Sequence, residues 1–279
     1  AEHRWPMSWL YRREGARLLD FERTVAHNVD ASLFVTAAEA DLFRRVAPEL
    51  GSRVGVMQNG VDADYFAPAN AGDSPYPPGG PVLVFSGAMD YWPNVDAVTW
   101  FATELLPQIR QSVPDARFWI VGMNPAPAVQ ALAGEGVVVT GTVPDVRPYI
   151  AHADLVVAPL RIARGIQNKV LEAMAMARAV VVSAAPANGL VAEDGRECAV
   201  AADGEAFCAR VLDLLRDPAR RAGMGEAARD CVLRAYSWSA HLRALDWLLE
   251  APAGAQATER GGAAQAAIAQ LEPGAAPLR

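Results

Sequence analysis

Residues 155–183 read LVVAPLRIARGIQNKVLEAMAMARAVVVS. Leu155–Ala158 and Ala179–Ser183 are short apolar runs of strand length, the second rich in β-branched valine. Lys169–Ala177 between them carries a helical pattern. Strand, helix and strand within one short run predict a right-handed crossover joining two parallel strands. The same rhythm extends outward. Val82–Ser86, Arg117–Val121, Val137–Thr140 and Cys198–Ala201 are further strand candidates. Helical patterns at Val95–Gln111, Pro125–Ala133, Val146–His152, Ala206–Arg216 and Pro218–Tyr236 separate or follow them. The expectation is an α/β domain over 82–236, with a parallel sheet covered on both faces.

The flanks read differently. Arg12–Asn28 predicts a helix with Leu18, Leu19, Phe21 and Val25 on or near one face, followed by a strand at Ser32–Thr36 and a helix at Ala38–Val46. Another strand, Arg53–Met57, ends at the turn signal Asn59-Gly60. Two strands and two helices cannot cover both faces of a sheet. Residues 1–66 therefore read as the remnant of an amino-terminal domain whose beginning is absent. Residues 67–81, rich in Pro, Gly, Ala and Ser, have linker composition. Residues 237–250 predict a terminal helix, with Leu242, Leu245, Leu248 and Leu249 at helical spacing. Residues 251–279, dominated by Ala, Gly, Gln and Pro, are expected to be disordered, with transient helix at Ala263–Leu271.

Composition narrows the function. Hydrophobic residues make up 52% and charged residues 20%, and no apolar run approaches the roughly 18 residues of a membrane span. No basic-plus-apolar secretory leader opens the sequence. A net charge of −7 disfavours nucleic acid as a partner. Three cysteines (Cys198, Cys208 and Cys231) without CxxC spacing point to a reducing cytosol and away from disulfides or a zinc site. Of 25 basic residues only Lys169 is a lysine. In so arginine-biased a chain, the surviving lysine is a pointer to a tight phosphate site, where a compact ammonium and a planar guanidinium are not equivalent; survival by chance is the competing reading.

Ligands of open parallel sheets bind outside the carboxyl ends of the strands, so the loops there carry the candidate site. In Ser86–Asn94, Gly87 allows close backbone approach and the following helix, expected from Val95, offers free amides to an anion. Asn94 reads equally well as the N-cap of that helix. The loop is not GxGxxG, which removes the main support for a dinucleotide cofactor. In Arg161–Lys169, two arginines (Arg161 and Arg164), Gly165, a helix N-terminus and Lys169 make an anion site. Glu172, three residues beyond Lys169, projects from nearly the same helix face and can accept hydrogen bonds from ribose hydroxyls; the competing reading is an exposed i,i+3 salt bridge. In Gly141–Arg147, Thr142 or Val143 is placed for a backbone contact, while Asp145 reads as a capping residue of a turn.

At these residues the chain resembles retaining glycosyltransferases of family 4, which have the GT-B architecture of two facing Rossmann-like domains. Asn59-Gly60-Val61-Asp62 is similar to the family's NGVD segment at the domain crossover, and Ser86-Gly87 to its first C-domain strand and glycine loop. Trp119–Gly122, Val139–Gly141 and Ala153–Pro159 resemble successive strands, Lys169–Ala175 the signature helix, and Tyr236-Ser237-Trp238 the start of the crossing terminal helix. The resemblance covers about Trp5 to Glu250. The Met89–Asn94 loop and the Arg161–Lys169 wording are similar to sugar transferases of exosortase and exopolysaccharide systems. It implies a Rossmann-like C-terminal donor domain plus the closing part of an N-terminal one, and transfer of a sugar with retention from a UDP- or GDP-linked donor to a saccharide or lipid-linked acceptor. It further implies a cytoplasmic enzyme needing neither cofactor nor metal, with peripheral membrane association open to the amino-terminal domain. Donor-binding residues on this resemblance are Gly87, Asn94, Thr142, Val143, Arg161, Arg164, Gly165, Lys169, Val170 and Glu172, with Lys169 bearing leaving-group charge. Two features depart from the family. Arg164 stands where a glutamate often contacts the donor sugar, and Ala88–Trp92 replaces a common basic pair. The competing functions are a nucleotide-sugar-binding module without turnover and a GT-B-like epimerase. For the latter, His152 in an Ala-rich helix, His241 and His27 form no convincing catalytic set.

Overall fold

The computed structural model describes residues 7–163, 165–187, 190–238 and 242. The chain divides into two compact units, residues 1–58 with 241–279, and residues 59–240. In the first, helix α1 (Met7–Asn28) and helix α2 (Ala37–Val46) accompany a two-stranded parallel sheet of β1 (Ser32–Phe34) and β2 (Val54–Val56). Thr36 caps α2 by accepting from the Glu39 amide, and its hydroxyl donates to the Glu39 carboxylate. A small core of Ala26, Ala40, Phe43, Leu50, Val54 and Val56 holds this unit together. The apolar face expected on α1 is left largely uncovered: Leu18, Phe21 and Val25 are exposed and only Ala26 is buried. Two three-residue strands offer too little surface to cover a helix of 22 residues.

The second unit is built on six strands, β3 (Val82–Ser86), β4 (Arg117–Val121), β5 (Val137–Gly141), β6 (Leu155–Ala158), β7 (Val180–Ser183) and β8 (Ala199–Ala201). All pair in parallel, in the order β5-β4-β3-β6-β7-β8. Period-two alternation sorts their side chains. Leu83, Phe85, Leu155, Val157 and Val181 enter one core, and Val82, Val84, Val156, Val180 and Val182 the other. Helices α3 (Trp92–Trp100), α4 (Leu106–Ser112) and α9 (Gly204–Arg216) supply the first core; α6 (Arg147–His152), α7 (Asn168–Ala175) and α10 (Pro218–Ala235) supply the second. Two short helices, α5 (Pro127–Gln130) and α8 (Ala184–Ala187), complete the unit.

Three expectations are revised. The single helix expected at Val95–Gln111 starts at Trp92 and is interrupted by a π-helical turn, Phe101–Leu105. Pro107 has no amide to donate, and the Leu106 amide reaches back to the Phe101 carbonyl instead. The helix expected at Pro125–Ala133 shrinks to α5. The break between units falls after Gln58, and the proline-rich stretch packs onto the second unit. Val61 and Ala63 are buried, and Arg229 of α10 donates to the carbonyls of Ala63 and Phe66. Tyr76 sits edge-on to Trp119 and Tyr149, and His152 Nε2 donates to the Gly72 carbonyl at 2.9 Å. Aromatic anchors and carbonyl contacts override linker composition here. Most of the terminal helix 237–250, and the tail 251–279, lie outside the described residues.

The turn leaving α7 stores backbone strain. Ala177 has φ of +54°, a left-handed conformation that favours glycine at a helix C-terminus. Against its carbonyl lies Gly225 of α10, where an added Cβ would approach to 2.2 Å. Ala177→Gly is expected to stabilise the protein by about 1 kcal/mol, read as a raised urea midpoint at constant slope. Gly225→Ala is expected to destabilise by about 1–3 kcal/mol, read as a lowered midpoint.

Candidate functional site

Outward from the centre of the sheet, strand order runs both ways: β3 leads to β4 and β5, while β6 leads to β7 and β8. The chain leaving β3 turns to α3 on one face, and the chain leaving β6 turns to α7 on the other. Adjacent carboxyl ends therefore part, opening a crevice at the topological switch point. A cleft of about 500 Å³ occupies this place, with Lys169 and Glu172 of α7, Gly87 and Asn94 after β3, and Thr142 and Val143 after β5 among its lining residues. That volume suits a small organic ligand.

Lys169 is the best-defined feature of the cleft. Its ammonium donates to Asn94 Oδ1 at 2.6 Å and lies 4.5 Å from the centre of the Phe85 ring. The Asn94 amide is itself fixed, donating from Nδ2 to the Ala88 carbonyl at 2.8 Å. Burial pulls the Lys169 pKa down from its ordinary value to about 8, with the Glu172 charge pulling weakly the other way. Burial likewise pushes Glu172 upward, opposed by Lys169. The i,i+3 salt bridge considered for this pair does not form among the described residues; the lysine takes Asn94 as its partner. Gln167 at the N-cap of α7 makes no side-chain cap, and the helix N-terminus faces the cleft with Lys169 in its first turn.

Glycines make the crossing possible. At Gly122 (φ +155°) an added Cβ would come within 1.7 Å of the Gly87 carbonyl, so the loops leaving β3 and β4 touch backbone to backbone. At Gly87 (φ +152°) it would lie 2.9 Å from Asn94 Nδ2 and 3.3 Å from Lys169 Nζ. The space at Gly87 is thus used first by the protein's own side chains.

The structure gathers Gly87, Asn94, Thr142, Val143, Lys169 and Glu172 around one cleft. Others are placed elsewhere. Arg161 does not line it: the guanidinium is engaged by Asp96, with Nε donating at 3.0 Å, and lies over the Trp100 ring. A carboxylate one turn into α3 outcompetes the cleft for that charge. Gly165 adopts φ of +66° in the approach to α7, and Val170 is fully buried in the core beneath it. Arg164 lies outside the described residues. Asn94 is not an N-cap; α3 begins two residues earlier with Tyr91 as the cap, so Asn94 is its third residue. Asp145 does serve its turn, accepting from the Arg147 amide at 2.9 Å and pairing with the Arg147 guanidinium. The sequence reading quoted Asn59 in a turn signal and Ser86 at a strand end without naming either, or Asn168, as donor-binding; all three line the cleft. Ser86 Oγ is buried without a protein partner. Its position at the carboxyl end of a strand was the available signal. Among the described residues, no group of three or more His, Cys, Asp or Glu side chains is placed to hold a metal ion, and no helix is long and apolar enough to cross a membrane.

Residues 80–217 match the family described as "Glycosyl transferases group 1". No curated protein sequence matches the chain. Among solved structures, it is similar to sucrose-phosphate synthase from Thermosynechococcus elongatus (TM-score 0.65, 18% identity, 83% of this chain and 60% of that one). A glycosyltransferase from Rickettsia africae gives a TM-score of 0.61 at 17% identity, covering 76% of this chain and 61% of that one. Anabaena HepE, solved in complex with UDP, gives 0.64 at 14% identity, covering 80% and 64%. The six-stranded parallel sheet of the second unit matches that of GT-B glycosyltransferase structures. The chain spans 60 to 64% of the length of these three proteins.

Keeping an ammonium so deeply buried costs stability, and the cost has a pH signature. The folded-state pKa of Lys169, about 8, lies below the ordinary lysine value of 10.5, so between these values the unfolded chain binds more protons. Lys169→Met is expected to stabilise the unliganded protein by about 1–3 kcal/mol below pH 8. That advantage should fade as pH rises toward 10.5. Urea unfolding of both proteins at pH 7 and pH 9.5 checks it; a constant difference at the two pH values would show that the ammonium is not strained.

Proposed function

We propose that the protein transfers a sugar, with retention, from a nucleoside diphosphate sugar to a saccharide or lipid-linked acceptor in exopolysaccharide assembly on the cytoplasmic side of the membrane. The observation that carries this reading is the lone lysine, held in a switch-point cleft beside the uncapped start of α7. The diphosphate lies against Lys169 and the first amides of α7, and Glu172 accepts from the ribose hydroxyls. As the bond from the sugar to the diphosphate breaks, negative charge grows on the departing phosphate oxygen. A preorganised ammonium in a largely water-free position lowers that charge's energy without reorganising. UDP is the favoured nucleotide, since the similar HepE structures were solved with UDP and with UDP-glucose.

Calorimetric titration tests the nucleotide site. UDP is expected to bind, with Lys169→Ala weakening it roughly tenfold to a hundredfold and Lys169→Arg restoring only part. The charged form binds, so the affinity of the wild type should hold up to about pH 8 and then fall as the ammonium titrates. The fall should approach about tenfold per pH unit. An affinity unchanged from pH 7 to 9.5 would move the phosphate contact away from Lys169.

Glu172 has a separate test. UDP should bind several-fold more tightly than its 2′,3′-dideoxy analogue, and Glu172→Gln should narrow the gap without unfolding the protein. Equal affinities of the two nucleotides for the wild type would remove the ribose role. Release of nucleotide from a labelled donor in the presence of saccharide acceptor distinguishes transfer from binding without turnover.

A further inference from the structure

We propose that Asn94 is a positioning residue for the anion site: its buried side-chain amide holds the Lys169 ammonium at one place in the cleft and leaves two of its N–H bonds for a nucleoside diphosphate. The ligand named here rests on the function proposed above; the geometry does not. Asn94 is 4% exposed, which is unusual for a polar side chain that caps nothing. Both ends of its amide are committed. Nδ2 donates to the Ala88 carbonyl, which can only accept, and Oδ1 accepts from the ammonium, which can only donate. Reversing the amide would place like against like at both contacts, so its orientation is fixed by chemistry.

Three residues far apart in sequence interlock at this point. Asn94 and Lys169 are 75 positions apart, and a Cβ at Gly87 would crowd both side chains. The Phe85 ring supports the ammonium from β3. Among the described residues, other charges near the cleft are spoken for. Asp96 on α3 takes Arg161, Asp90 accepts from Asn124, and Asp145 is closed onto Arg147. Glu172, on the same helix as the lysine, is the other titratable side chain among the described residues that line the cleft. Asn94 thus supplies a neutral acceptor where a carboxylate would neutralise the charge and an apolar residue would leave it unsupported. A neutral acceptor fixes the ammonium in place and keeps its full charge for the ligand.

The experiment exploits the single lysine. Protein labelled with 13C-lysine gives one Cε resonance, from Lys169, and its pH titration needs no ligand. The wild-type midpoint is expected near 8. Asn94→Ala should lower it by roughly half a pH unit or more, because the charged form loses its acceptor. The isosteric Asn94→Asp should raise it by roughly one unit or more. Should Asn94→Ala fail to fold, Asn94→Asp decides alone. Midpoints unchanged in the folded variants overturn the proposal, because a residue that merely packs α3 would alter melting and leave the lysine's titration untouched. At pH 7, Asn94→Ala should also weaken UDP roughly threefold to tenfold. If the wild type binds no UDP, the function proposed above fails, while the lysine titration still decides the role of Asn94.

Discussion

The pairing of β3 with β4 on one side and β6 on the other is the constraint on which the second unit depends. Because β3 is central and buried on both faces, each of its neighbours starts a different half of the sheet. Its amino end is fixed by Asp154, just before β6. The Asp154 amide donates to the Val82 carbonyl, its Oδ2 accepts from the Val82 amide, and its Oδ1 accepts from Arg221 of α10. The carboxyl end is fixed by backbone contact, Gly87 donating to Val121 with Gly122 pressed against it. With both ends held, the chains leaving β3 and β6 have no choice but to diverge, and the cleft is the space between them.

That cleft trades stability for a charge. An ammonium inside a folded domain forfeits hydration, and the hydrogen bond to Asn94 and the Phe85 face restore only part of it. The depressed pKa of Lys169 is the imprint of that shortfall. On the function proposed above, an anion arriving from solvent would supply what the protein withholds, as perturbed groups do at functional sites generally.

The stretch 59–81 shows how composition misleads. Its prolines, glycines and small residues suggest a flexible connection. Val61 pairs with Ser237 in a parallel bridge and donates to the Tyr236 carbonyl, and a Cβ at Gly60 would strike the Trp238 ring. The stretch is ordered through a few long-range anchors, which composition does not report. In the first unit the reverse holds. Local patterns placed α1, α2, β1 and β2 within a few residues, yet the amphipathic face of α1 stays exposed. Periodicity says which face prefers burial and nothing about what covers it.

Most of the second unit was legible in its sequence. Val82–Ser86, Arg117–Val121 and Leu155–Ala158 form strands with the expected ends, because short β-branched runs bounded by glycine, proline or aspartate have few other ways to fold. The pair Lys169 and Glu172 was legible too, since helical spacing alone puts residues three apart on one side. Partner choice was not legible. Arg161 turns to Asp96, 65 residues away, and Lys169 to Asn94, 75 residues away. Nothing local separates an asparagine that caps a helix from one that grips a lysine across a sheet. The sequence determines periodicity and backbone preference, which act over a few residues. Which charges meet depends on distances that exist only once the sheet has formed, and there the tertiary structure alone decided.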